Sequence, residues 1–483
     1  MRLKSAAVVF CTLVALAGCS SADAPDSAPR PPGNADGAQN ETGPQRPSRD
    51  DLSTFALDVD TASYGYAAGR LRDGRRPDPD TVRPEEFVNS FDQHYPQPKG
   101  DGFAVHVDGS RLPASHEASR ETRLLRIGLQ TRGEDSEQRK DAALTFVIDV
   151  SGSMDDPDRL GLVQDALHTL VDQLRPTDAV AIVTFNDQAR VIRKMTRVTE
   201  KKALHAAIDS VRVGGSTNLN NGLVAGYETA RDGFREGYSN RVILLSDGLA
   251  NTGTTDPDRM LRRVREEADK EIALLGVGVG SDYGDDLMEQ LADRGDGFVV
   301  YVSERRQARD VFVHKLPATL ALRAMDAKAQ VQFDTKTVAS YELIGYENRQ
   351  VADENFRNDH VDGGEVGPGH AVTALYLVRL KPEASGRVAE VRVRWLDPST
   401  KQPSETYESI AVGDLSGDFT GADVRLRVCY AAAFFAVALR GGDGARDVNL
   451  TDLAKIADEA AGRLDERPVD DLAELIRTAQ RLS

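Results

Sequence analysis

The stretch Leu144-Thr145-Phe146-Val147-Ile148-Asp149-Val150-Ser151-Gly152-Ser153-Met154 sets a nearly unbroken apolar run against a short polar loop. A strand that is apolar on both sides needs cover on both faces, the pattern of a parallel sheet rather than a half-solvated antiparallel one. Asp149, Ser151 and Ser153 then fall at or beyond the strand's carboxyl end, where open α/β sheets bind ligands. Carboxylates and hydroxyls are hard oxygen donors suited to Mg²⁺, Mn²⁺ or Ca²⁺, and Mg²⁺ held by few protein oxygens keeps exchangeable positions in its octahedral shell. Such a site accepts a partner's carboxylate. Because strand ends often carry Asp and Ser for turn formation alone, the string needs support from the rest of the chain.

Reading outward, the same kind of strand recurs at Ala179–Phe185, Val242–Ser246, Ile272–Val279 and Phe298–Val302. Amphipathic stretches between them predict helices at Arg159–Leu174, Glu200–Val211, Leu219–Arg235, Asp258–Lys270, Asp285–Asp293 and Glu304–Leu320. This alternation predicts an α/β domain over residues 141–318, with a mainly parallel sheet and helices on both faces.

Two downstream loops supply the support. Gly214-Gly215-Ser216-Thr217-Asn218-Leu219 offers a hydroxyl before a helix, and Val242-Ile243-Leu244-Leu245-Ser246-Asp247-Gly248 offers a second carboxylate after an apolar strand. In this order, each at a strand end or helix start, the three loops resemble the metal-ion-dependent adhesion site of von Willebrand factor type A domains. All five positions of that motif are present, as Asp149, Ser151, Ser153, Thr217 and Asp247. The resemblance implies a Rossmann-like fold and a bound divalent cation, Mg²⁺ ahead of Mn²⁺ or Ca²⁺. It also implies that the three hydroxyls contact the metal and that both carboxylates act largely through water and hydrogen bonds. One position is then left open for an acidic side chain of a protein partner.

On either side of this section the apolar residues alternate, as half-buried antiparallel strands require. Phe103–Val107, Leu125–Leu129 and Glu390–Trp395 are the clearest cases, with further strands expected at Phe55–Val59, Ala329–Phe333, Ala371–Leu380 and Thr406–Val412. Helices are expected at Ala62–Leu71 and Pro84–Phe91. An inserted domain needs only neighbouring termini, so the simplest architecture is a β-rich accessory domain made from residues 52–140 and 319–412, with the α/β domain inserted into it. Residues 413–483 predict helices. Thr420-x-x-Asp423 has the form of a capping box, Leu453, Ile456, Ala457, Ala460 and Leu464 share a helical face, and Pro468 stands at a helix start. The apolar run Cys429–Leu439 is too short to span a membrane and predicts a buried helix. Leu57–Tyr64, Leu343–Asn348 and Gly369–Tyr376 are similar to segments of bacterial von Willebrand type A lipoproteins with uncharacterised N- and C-terminal flanking domains.

The chain opens with Arg2 and Lys4 and an apolar run from Ala6 to Ala17, the form of a secretory signal over residues 1–18. Leu16-Ala17-Gly18-Cys19 resembles a bacterial lipobox, which implies cleavage before Cys19 and its acylation; the alternative is a plain secretory signal with an incidental cysteine. Residues 19–51 lack any Leu, Ile, Val, Met or aromatic residue and predict a disordered tether, reaching up to about 100 Å when extended. The expected location is therefore extracytoplasmic, with a lipid anchor in a bacterial membrane. Cys11, Cys19 and Cys429 offer no disulfide framework, and Cys429 reads as a small buried hydrophobe.

With 483 residues, 40% hydrophobic, the chain has apolar material for two or three domains, and its net charge of -17 excludes a basic field for nucleic acid. A protein or cation partner fits better. Asp58-Val59-Asp60-Thr61 is reminiscent of the nucleophile loop of haloacid dehalogenase-like phosphatases, but the Asp-x-Asp-x-Thr spacing is not kept, and capping of the helix at Ala62 accounts for the carboxylates. Gly276-Val-Gly278-Val-Gly280 lacks G-x-G-x-x-G spacing and reads as a tight turn. No hydrolase, Walker or zinc-protease motif occurs, and no small-molecule substrate is evident. The leading expectation is a non-enzymatic, cation-dependent protein-binding module. Behind it stand a structural envelope lipoprotein with a stabilising metal and a Mg-dependent phosphatase using Asp58.

Overall fold

The computed structural model describes residues 51–482 apart from 58–59, 117, 119, 134–139, 157–158, 249–255, 281–285, 296, 298, 303–310, 313–322, 360, 362, 399 and 442–447. The signal, Cys19, nearly all of the tether and Asp58 therefore lie outside the described residues.

The first flank supplies β1 (Leu52–Ala56), α1 (Ala62–Arg72), α2 (Pro84–Asn89), β2 (Phe103–Arg111) and β3 (Thr122–Thr131). The α/β section follows with β4 (Ala142–Asp149), α3 (Leu160–Gln173), β5 (Ala179–Phe185), β6 (Ala189–Arg197), α4 (Lys201–Asp209), α5 (Leu219–Asp232), β7 (Ser239–Ser246), α6 (Pro257–Ala268), β8 (Ile272–Val279), α7 (Asp286–Arg294) and β9 (Val299–Val302). Its six strands run in the order β6-β5-β4-β7-β8-β9. Pairing is parallel throughout except between β5 and β6.

Every residue of β4 is buried, and the period of two divides its side chains between two cores. Phe146 and Ile148 join Leu167, Leu170 and Leu204 of α3 and α4 on one face. Val147 joins Leu223, Tyr227, Val264 and Leu291 of α5, α6 and α7 on the other. The doubly covered sheet expected from the apolar runs is thus present. Strand β6 was not anticipated: its burial alternates weakly, and Arg190, Arg193, Lys194 and Arg197 break any apolar run. The expected helix Glu304–Leu320 lies outside the described residues but for Val311 and Phe312.

The second flank adds β10 (Ala324–Phe333), β11 (Val338–Leu343), β12 (Gly364–Val366), β13 (Ala371–Leu380), β14 (Arg387–Leu396) and β15 (Pro403–Ala411). Strands from the two flanks share sheets. One runs β1-β10-β14-β15 with β12 on β10, the other β11-β13-β3-β2. Phe55 of β1 stands opposite Ala329, and Ile127 of β3 opposite Ala374. Phe55, Ile127, Tyr376 and Val391 meet in a single core between these sheets. Leu124 and Leu375 face the other way, into a helical core with Leu71, Phe87, Phe435 and Leu472. That core is built by α1 and α2 with the helices Val424–Arg440, Leu450–Leu464 and Arg467–Arg481.

Three local expectations are corrected. The Val424 helix is capped by Asp423 itself, which accepts from the backbone N–H of Arg425 and Leu426, so Thr420 does not form the expected capping box. Asp60 does not cap α1: Thr61 holds that position, while Asp60 accepts from Val299 N at 2.9 Å and from Arg349 Nη2 at 3.1 Å, tying β9 to both flanks. Gly276 and Gly278 lie within β8, and of the three glycines only Gly280 is at positive φ. Cys429 is buried as expected, and burial pushes its thiol pKa up to about 12. No helix among the described residues is long and apolar enough to cross a membrane.

Candidate cation site

β4 and β7 end side by side, Ile148 opposite Leu245, so Asp149 and Asp247 emerge from neighbouring parallel strands at their carboxyl ends. Asp149, Ser151, Thr217 and Asp247 are buried, and Ser153 is exposed. The carboxylate of Asp149 accepts from Ser151 N at 2.8 Å through one oxygen and from Ser246 Oγ at 2.8 Å through the other. Ser151 Oγ lies 3.0 Å from Ser153 Oγ, which in turn donates to Asp247 Oδ1 at 2.9 Å. A continuous hydrogen-bonded path therefore runs through four of the five expected residues.

The Thr217 loop is brought to the first loop by its backbone. Gly214 N donates to Val150 O at 2.7 Å, and Gly152 N to Gly215 O at 2.9 Å. Gly215 has φ of +92°, a left-handed conformation that favours glycine and strains any other residue. Asp187 accepts from the Ser216 hydroxyl and backbone, which holds its carboxyl below the usual range. Asn218 caps α5 by accepting from Asn221 N at 3.1 Å. Thr217 is thereby fixed at the helix start, against the Asp149 loop.

Electrostatically the site is short of positive charge. Burial pushes Asp149 above the ordinary carboxylate range and the charge of Asp247 adds to this, against hydrogen bonds from Ser151 and Ser246. Arg159, just before α3, supplies one cation: its Nη1 donates to Asp247 Oδ2 at 2.6 Å and to Ser153 O at 3.0 Å. Among the described residues no three His, Cys, Asp or Glu side chains converge as a metal site. A cation here would rest on hydroxyls plus two carboxylates, a hard-oxygen set that fits Mg²⁺. Sequence reasoning missed Arg159, Ser246 and Asp187. Only Arg159 left a signal, as the basic residue closing the acidic run Asp155-Asp156-Pro157-Asp158.

A family model described as von Willebrand factor type A domain matches residues 143–314, one described as von Willebrand factor matches 36–125, and one described as the C-terminal part of the uncharacterised protein YfbK matches 318–482. Uncharacterised protein YfbK of Escherichia coli (strain K12) is 32% identical over 475 residues, covering 92% of this chain and 80% of that protein. This chain belongs to the YfbK family of von Willebrand factor type A domain proteins. The inter-alpha-trypsin inhibitor heavy chain H2 of Mesocricetus auratus is 27% identical over 165 residues, 32% of this chain and 17% of that protein. Among solved structures, von Willebrand factor type A from Catenulispora acidiphila aligns with a TM-score of 0.48 at 16% identity, over 77% of this chain and 89% of that one. By the family model, residues 143–314 of this YfbK-family chain have the type A fold, and the match to YfbK extends over 92% of the chain.

Proposed function

We propose that this YfbK-family chain is a lipid-anchored, extracytoplasmic protein whose type A domain binds a protein partner through a divalent cation, Mg²⁺ before Mn²⁺ or Ca²⁺. The observation that carries this reading is the joining of three loops at the carboxyl edge of parallel strands, with Asp149, Ser151, Ser153 and Asp247 in one hydrogen-bonded path and Thr217 docked beside it. Ser151, Ser153 and Thr217 would hold the cation, with Asp149 and Asp247 orienting its water. The metal would supply an open coordination position for an acidic side chain of the partner. Hydroxyls and carboxylates gathered around a cation with an open position suit recognition of an acidic group, and recognition is the role assigned. Acylation of Cys19 would place the module at the end of its tether.

Partner capture from envelope extracts tests this, run in Mg²⁺ and in chelator with wild type and Thr217→Ala. Proteins retained by wild type only in Mg²⁺, and lost with Thr217→Ala, support the proposal. Identical capture in chelator would favour a stabilising metal instead. Incorporation of a labelled fatty acid, abolished by Cys19→Ser, tests the anchor separately.

A further inference from the structure

His168 of α3 and His205 of α4 meet beside the apolar seam of Leu167, Leu170, Leu204 and Ile208. Their Nδ1 atoms lie 2.6 Å apart, and the ring centroids 4.9 Å apart with planes within 21°, so the imidazoles meet edge to edge with these nitrogens aimed at each other. The outer nitrogens are held as well. His168 Nε2 lies 3.1 Å from Asp209 Oδ1, and His205 Nε2 lies 3.3 Å from Asp172 Oδ1. Each of the three contacts needs a proton, because a bare ring nitrogen repels both a carboxylate and another bare ring nitrogen. Two neutral imidazoles bring only two.

We infer that the pair holds a third proton, shared between the Nδ1 atoms, and that it acts as a pH-gated clip between α3 and α4. Asp172 and Asp209 bracket this positive charge, and Asp165 stands one helical turn before His168. Against them stand Lys201, whose Nζ donates to Asp172 O at 2.9 Å, Lys202 one turn before His205, and Arg212, which donates to Asp209 O. Loss of the shared proton leaves one contact without a donor, and a further proton sets two N–H groups against each other. Above the window the unfolded chain binds neither imidazole proton, and below it both, against one extra proton in the folded pair, so the clip's stabilisation falls on both sides.

The clip lies behind the cation site. α3 begins shortly after the Ser153 loop, and α4 runs on to Gly214, whose N–H donates to Val150 O. Gln164 of α3 spans the same junction, donating to Ile208 O at 2.9 Å. An open clip therefore loosens the Thr217 loop and weakens metal binding, a consequence that rests on the cation-binding reading proposed above.

Thermal melts of the full chain in chelator test the clip, on wild type, His168→Gln, His205→Gln and the double variant, across and beyond the range of about pH 5 to 8 in which imidazoles change charge. The deficit of each single variant is expected to reach about 2 °C inside that range and to vanish on both sides, with the double variant losing no more than either single one. A deficit that is constant with pH, or that grows steadily toward either end, would overturn the shared proton. So would stabilisation of wild type by Zn²⁺ that both single variants lose, since the gap would then hold a metal. Calorimetry tests the coupling: wild type is expected to bind Mg²⁺ about fivefold more tightly than His168→Gln inside the window and equally outside it. A ratio that does not change with pH would overturn the coupling, whereas no Mg²⁺ binding by wild type would overturn the cation reading and leave the melts to decide the clip.

Discussion

Arg159 Nη1 lies 2.6 Å from Asp247 Oδ2, so a cation of the protein's own is bonded to a carboxylate of the proposed metal site. Gly280 makes room for it, since a Cβ there would stand 2.9 Å from Arg159 Nε. A charge-assisted hydrogen bond of this kind contributes about 1.5–3 kcal/mol. Metal entry that draws on Asp247 has to compete with that bond. Arg159→Gln is expected to tighten Mg²⁺ binding by roughly tenfold, since 1.4 kcal/mol is a factor of ten. The same variant should melt lower than wild type in chelator. Calorimetry showing unchanged affinity would mean that Arg159 and the metal do not share Asp247.

Asp149 is a desolvated carboxylate beside a second one, so its charge is a burden when no metal is bound. Asp149→Asn removes that charge and keeps the shape. In chelator the variant is expected to melt at or above the wild-type Tm, whereas in saturating Mg²⁺ wild type alone should gain stability. A large loss of stability in chelator would show that the carboxylate is needed by the fold itself.

Gly226 lets α5 sit directly on β4, because a Cβ there would meet Val147 Cγ2 at 2.3 Å. Overpacking of this kind costs about 1–3 kcal/mol. Gly226→Ala is expected to lower the Tm and, by shifting the helix that begins just after Thr217, to weaken Mg²⁺ binding as well. Denaturant melts and calorimetry check the two effects independently.

In the helical region Arg425 Nη2 donates to Glu466 Oε1 at 2.5 Å, and this bond holds the Glu466 carboxyl below its usual range. A depressed folded pKa gives stability that is fully present above the unfolded glutamate value, about 4.3, and is lost as pH falls through the folded value. Arg425→Met is expected to cost on the order of 0.5–1 kcal/mol at pH 7. The difference from wild type should shrink as pH drops below about 4.3. Melting curves across that window measure it.

The parallel sheet and its edge carboxylates were legible because burial on both faces writes unbroken apolar runs, and strands such as Ala179–Phe185 and Ile272–Val279 match their expected bounds. β6 was not legible, since an edge strand with one partner has no such requirement and carries exposed Arg190 and Arg197. The flanks were readable as alternating strands, but which strand pairs with which depended on contacts as distant as Phe55 with Ala329. At the site, residue types and order pointed to all five motif positions. Arg159 escaped because its role arises from a side chain reaching across Gly280, a relationship that spacing along the chain does not encode.

Asp149, Ser151, Ser153, Thr217 and Asp247 are proposed to act together in binding a divalent cation. Calorimetric titration of Mg²⁺ into metal-free wild type and into Thr217→Ala tests it most directly. Saturable one-site binding by wild type is expected, with at least a tenfold weaker association in the variant. Absence of binding by wild type to Mg²⁺, Mn²⁺ and Ca²⁺, or equal affinity in Thr217→Ala, would contradict it.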